Sequence, residues 1–150
     1  MAFQLLIGLT TEGPTDARFL TEIIEKTFTA AAFACRTDVV IEGVFPLHPA
    51  KAPFTEMMTA AAHRAHMLGI NVLCIHADAD SATADHVLQH KFAPLLAHMA
   101  SLPEDSYCKH LVPLIPVQMS EAWMLADTAL LRTRMEEQVR LVTHALGLLL

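Results

Sequence analysis

Apolar residues along this chain follow two alternating spacings. Short, dense runs read as buried strands: Gln4-Leu5-Leu6-Ile7-Gly8-Leu9, then Asp38 to Phe45, then Val72 to His76, then Leu111 to Val117. Between them, apolar positions recur every three or four residues, as one face of a helix requires. Phe19, Leu20, Ile23, Ile24 and Phe28 predict a helix that opens at Pro14 and runs to about Ala32. A second helix is expected from about Thr55 to Leu68, with Gly69 just beyond its end. A third carries Val87, Leu88, Phe92, Leu95, Leu96 and Met99, capped by Ser81 or Thr83 and bent or split at Pro94. Pro113 and Pro116 should keep the fourth strand short or place it at an edge. Ser120 then caps a long last helix bearing Trp123, Leu131, Met135, Val139, Val142 and Leu146.

Strands alternating with helices predict an α/β fold: right-handed crossovers, a mostly parallel four-stranded sheet, and helices on both faces. No linker, repeat or low-complexity segment divides the 150 residues, so a single domain is expected. The apolar ending, Ala145 to Leu150, has three readings: it packs back onto the domain, it forms an oligomer contact, or the natural domain continues.

Composition narrows the function classes. The chain is 53% hydrophobic and 17% charged, which suits a globular core. No apolar stretch approaches the roughly 18 residues of a membrane span, and no basic leader precedes Arg18, so cytoplasmic residence is expected. Cys35, Cys74 and Cys108 are scattered and odd in number, and they read as free thiols. A net charge of −6 with dispersed lysines and arginines argues against an autonomous nucleic-acid-binding module. It leaves room for a catalytic domain fed by a basic partner.

The candidate chemistry lies just beyond two of the strands. Glu12-Gly13-Pro14-Thr15-Asp16 follows the first, and Asp78-Ala79-Asp80 follows the third. Parallel sheets bind ligands in the crevice outside the carboxyl ends of their strands. If the first and third strands are neighbours, as in flavodoxin-like sheets, the two clusters face each other. Carboxylates gathered in this way repel unless a cation sits between them, and their hard oxygens suit Mg²⁺ or Mn²⁺. Acidic residues in a first helical turn, or a lone Asp-x-Asp in a solvated loop, also have ordinary structural explanations.

The combination resembles the TOPRIM domain of topoisomerases, primases and nucleases of the OLD family. Glu12, Gly13 and Asp16 look like the first acidic motif of the OLD-type branch, and Asp78 and Asp80 look like its Asp-x-Asp motif. Pro116 to Asp127, with Glu121, Trp123 and Asp127, is similar to a Glu-x-Trp-x-x-x-Asp segment of small stand-alone TOPRIM-like proteins. Those often occur beside ABC-type ATPases in bacterial defence loci. The resemblance covers roughly Leu5 to Asp127. It implies metal-dependent phosphodiester hydrolysis, with the metals polarising the phosphate, activating water and stabilising the leaving oxygen.

Asp16, Asp78 and Asp80 would be metal ligands, Glu12 a ligand or the acid/base group, and Glu121 a further carboxylate. A partner ATPase and nucleic acid reached through that partner are implied, and a homo-oligomer is open. This chain departs from the OLD pattern in carrying no Gly-x-x-x-x-Gly-Lys-Ser/Thr loop. The rival reading is a non-catalytic TOPRIM-fold domain that docks on a partner ATPase.

Other polar residues are weighed more briefly. Trp123 reads as a core anchor, while Asp127 can orient an arginine or cap a loop. His63, His66, His86 and His90 have helical ligand spacing but no accompanying Cys pair or His-Glu-x-x-His, so they read as surface residues. His76 shares a strand face with Asp78 and can tune the site or accept a proton. A receiver-like phosphoacceptor domain would want a lysine after a late strand, and Lys109 precedes the fourth.

Overall fold

A computed structural model describes residues 1–13, 17–79, 82–116 and 128–147. The elements are β1 (Phe3–Thr11), α1 (Ala17–Ala32), β2 (Val39–Pro46), α2 (Phe54–Met67), β3 (Val72–His76), α3 (Asp85–Val87), a π-helical turn (Leu88–Phe92), α4 (Ala93–Ala100), β4 (Leu111–Leu114) and α5 (Thr128–Ala145). The four strands form one sheet in the order β2-β1-β3-β4, and each pairs in parallel with its neighbours. The parallel α/β architecture expected from the alternating periods is the one observed.

The two central strands, β1 and β3, are buried on both faces, which explains their dense apolar runs, whereas the edge strand β2 leaves Val40, Glu42 and Phe45 exposed. Leu5, Ile7 and Leu9 of β1, with Val72 and Cys74 of β3, pack against Leu20, Ile24 and Phe28 of α1 and Val139 and Val142 of α5. Leu73 and Ile75 of β3 face the other way, toward Met57, Met58, Ala61, Ala62 and Ala65 of α2 and toward Phe92, Leu95 and Met99. The connection from β1 steps outward to β2, and the next one returns past β1 to β3. The two crossover helices therefore cover opposite faces, as the right-handed rule requires.

Gly8 stands where these layers are tightest. A Cβ there would lie 3.1 Å from Leu73 Cδ1 and 3.3 Å from Ile70 Cγ2. Asn71 secures the neighbouring strand: its side-chain oxygen accepts the Leu6 N–H at 2.8 Å, while its own N–H donates to Leu6 O at 2.9 Å. On the other side of β1, the register with β2 shifts between Leu5 and Leu6, opposite Gly43, whose φ is 135°. A bulge of this kind bends and twists an edge strand.

The third helix departs from its expected form in an instructive way. Its start has Ala84 at the N-cap position. The helix divides just before Pro94: a π turn over Leu88–Phe92 gives way to α4, which carries Pro94 in its first turn. Buried positions run Val87, Phe92, Leu95, Met99, so the first step is five residues and the later ones three and four. The five-residue step matches the wider π turn. It rotates Leu88 and Leu96 outward to 42% and 48% exposure, although a uniform α-period places both in the buried stripe.

β4 is both short and at an edge, and the Lys109 ammonium just before it donates to the carbonyls of Met99 and Leu102 at the end of α4. Gly69 has φ 73° and closes α2 as expected. Leu146 packs against the α1–α5 core, and Arg36 donates to Gly147 O at 3.2 Å. The opening of α1 at Pro14, the capping roles of Ser81 and Ser120, and Val117, Trp123 and Leu148 to Leu150 lie outside the described residues, as do the side chains of Leu131 and Met135. No helix among the described residues is long and apolar enough to cross a membrane.

Gly8→Val should destabilise the protein by about 1–3 kcal/mol through overpacking between β1, Ile70 and Leu73. Urea denaturation checks this, with a lowered midpoint expected at an unchanged slope.

Candidate functional site

The carboxyl ends of β1 and β3 meet because their register pairs Thr11 with His76. One residue further, the Glu12 N–H donates to His76 O at 3.0 Å. Beyond His76 the chain stays extended along β4, with the Ala77 N–H bound to Leu114 O at 3.1 Å and the Ala79 N–H to Pro116 O at 3.0 Å. Ala77 and Ala79 turn into the α2 side of the core, so the alternation sends His76 and Asp78 to the α1 side. The structure thus brings Glu12 and Asp78 to the ends of adjacent strands. Asp16, Asp80, Glu121 and Asp127 lie outside the described residues.

His76 is 2% exposed, and its Nε2 lies 3.5 Å from Asp78 Oδ1, whose side chain is 38% exposed. Burial holds the imidazole below its ordinary value near 6.5, while the negative charges of Asp78 and Glu12 pull the other way. Desolvation dominates, so the neutral ring is favoured. The contact with Asp78 is then a long polar approach rather than a formed ion pair.

Glu12 is engaged from the opposite face. Lys91, on the π turn, donates to its carboxylate in an ion pair whose side chains are 31% and 33% exposed. The Lys91 ammonium also lies 5.5 Å from the centroid of the Phe54 ring, at the start of α2. Phe54 in turn meets Phe92 edge-on, with centroids 5.4 Å apart. Beneath Glu12, the Thr10 hydroxyl is 1% exposed and has no hydrogen-bond partner among the described residues. An unsatisfied buried hydroxyl costs about 1–3 kcal/mol, and this one lies two residues before Glu12.

The sequence offered no signal for Lys91 or Thr10. Lys91 is 79 residues from Glu12 and sits in a helical stretch like any solvated lysine. Thr10 looks like ordinary strand material. Other predicted polar residues lie elsewhere: His63 contacts Ser106 O at 2.9 Å, and His86 and His90 stack on the exposed face of the π turn with centroids 4.3 Å apart.

Glu12 and Asp78 offer hard oxygen donors, and Mg²⁺ is commonly held by one or two carboxylates with water completing its shell. The donor chemistry therefore fits a hard divalent cation. Among the described residues no group of three His, Cys, Asp or Glu side chains is close enough to hold a metal alone.

The fold is that of a parallel α/β protein, with Glu12 and Asp78 just beyond the carboxyl ends of its two central strands. No protein-family model matches the chain, and no curated protein matches it.

The thiols are free and differ in access: Cys74 and Cys108 are buried, and Cys35 is partly exposed. Burial pushes the Cys108 thiol up to about 11 and raises Cys74 as well. Titration of the native protein with a disulfide reagent should modify Cys35 first, with Cys74 and Cys108 reacting only after denaturation. For His76, the unfolded chain binds the proton more readily than the folded one. Its contribution to stability is therefore present above about pH 6.5 and is lost as the pH falls below that value. Urea midpoints measured from pH 8 to 5 should fall less steeply for His76→Gln than for the parent.

Proposed function

We propose that this chain is a TOPRIM-like α/β domain that supports divalent-metal-dependent phosphodiester hydrolysis and works with a partner ATPase that grips nucleic acid. The observation that supports the reading is the β1–β3 pairing, whose Thr11–His76 register leaves Glu12 and Asp78 just beyond the ends of adjacent strands. The acidic motifs that resemble the OLD-type branch fall on these same strand ends. Glu12 and Asp78 would hold Mg²⁺ or Mn²⁺, with Asp16, Asp80 and Glu121 the further candidates from the sequence. When bound, the ion would polarise a phosphate oxygen and lower the pKa of a bound water. His76, buried and neutral beside Asp78, would keep that carboxylate oriented. The Glu12 carboxylate would hold the ion or take the proton from water. The chain's own surface is acidic, so bulk attraction for nucleic acid falls to the partner.

The Glu12–Lys91 ion pair favours a second reading, in which the acidic residue is a structural counter-charge and the domain only docks on its ATPase. The two separate in one experiment. Calorimetric titration with Mg²⁺ and Mn²⁺ is run beside a nicking assay on supercoiled DNA, using the parent, Glu12→Ala and Asp78→Ala. The proposed function predicts metal binding by the parent and a loss of cleavage of about a hundredfold or more in each variant, with unchanged circular dichroism. Variants that cut as well as the parent overturn it. Metal binding without cleavage supports the docking domain.

A further inference from the structure

The Lys91 ammonium makes two contacts that together exceed what a solvated surface lysine needs. It ion-pairs with Glu12 at the mouth of the crevice, and it lies over the face of Phe54. Its backbone belongs to a π turn, a rare local structure that recurs at functional sites. That turn is anchored on both sides by buried side chains, Val87 before it and Phe92 at its end. The anchoring fixes where the lysine stem begins, and the side chain is 31% exposed. The crevice thus contains a permanent cation of its own, next to carboxylates suited to a divalent one.

We propose that Lys91 exchanges partners at this site: it is the counter-ion of Glu12 until a divalent cation takes the carboxylate, and it then grips a phosphate oxygen. The exchange rests on the metal-dependent reading given above. A cation on Glu12 removes the charge that holds the ammonium and repels the ammonium itself. Phe54 limits how far it can withdraw, because the ring face retains a positive charge nearby. A lysine released in this way stands as a point charge beside the ion, which is the arrangement that binds an anionic phosphate. The same residue therefore opposes metal entry and favours phosphate entry. A merely structural salt bridge would oppose metal entry without favouring phosphate entry.

The two effects have opposite signs in one variant. Lys91→Met keeps the stem against Phe54 and removes the charge, while Lys91→Arg keeps the charge. Mg²⁺ is titrated calorimetrically into the parent and both variants, and inorganic phosphate is then titrated into each Mg²⁺-saturated protein. The expected result is Mg²⁺ affinity raised about 3- to 10-fold in Lys91→Met, phosphate affinity lowered about tenfold in the same variant, and both near the parent in Lys91→Arg. Urea denaturation of the variants confirms that each is folded. Unchanged affinity of Lys91→Met for either ligand overturns the exchange, as does a Mg²⁺-saturated parent that binds no phosphate. Mg²⁺ binding that is indifferent to Lys91 overturns the exchange alone. Absence of Mg²⁺ binding from the parent and all variants overturns the metal-dependent reading with it.

Discussion

The parallel pairing of β1 with β3 is the constraint on which the rest of the molecule depends. Two strands separated by a whole β-α unit become neighbours, so the chain must leave β1 in one direction and later return past it in the other. That reversal distributes α1 and α2 to opposite faces and gives β1 and β3 a buried core on each side. It also leaves a crevice at their carboxyl ends, because the connections depart to opposite sides. Asn71 and Gly8 serve this pairing directly. Asn71 locks the start of β3 to Leu6 with two hydrogen bonds, and the missing side chain of Gly8 admits Ile70 and Leu73.

The crevice inherits its electrostatics from the two faces. On the α1 side, His76 is buried deeply enough that the neutral ring prevails despite two nearby carboxylates. On the α2 side, Lys91 supplies a full positive charge against Glu12, supported by an aromatic ring. Glu12 and Asp78 thus share a crevice but not an environment. Glu12 ion-pairs with Lys91, and Asp78 lies beside a neutral imidazole. Such division between neighbouring carboxylates is a common way for a site to give them different tasks.

The third helical stretch shows where a period-based reading reaches its limit. The residues Val87 to Met99 satisfy a helical template well enough to predict a helix, and a helix is present. The template places Leu88 and Leu96 inside, and the π turn places them outside. A π turn is a rare departure from the α-helical period. Here Phe92 must reach Phe54 and the α2 layer, and the widened turn lets it do so. The same adjustment determines the direction from which Lys91 leaves the helix.

What the sequence determined by itself was the kind of fold and the acidic residues that follow its strands. The alternation of dense apolar runs with three-and-four spacing is a local property, set by how a strand or helix exposes its side chains. Pro113 and Pro116 likewise announced a short edge strand, since a missing N–H cannot serve a ladder on both sides. Glu12 and Asp78 could be read as candidates because strand and acidic residue are adjacent in the chain. Only the tertiary structure decided that β1 and β3 pair, that His76 is buried against its charged neighbours, and that Lys91 closes on Glu12. The β1–β3 pairing and the Lys91–Glu12 contact join residues 65 and 79 positions apart. No local period encodes such a meeting, which follows from packing two faces of one sheet at once.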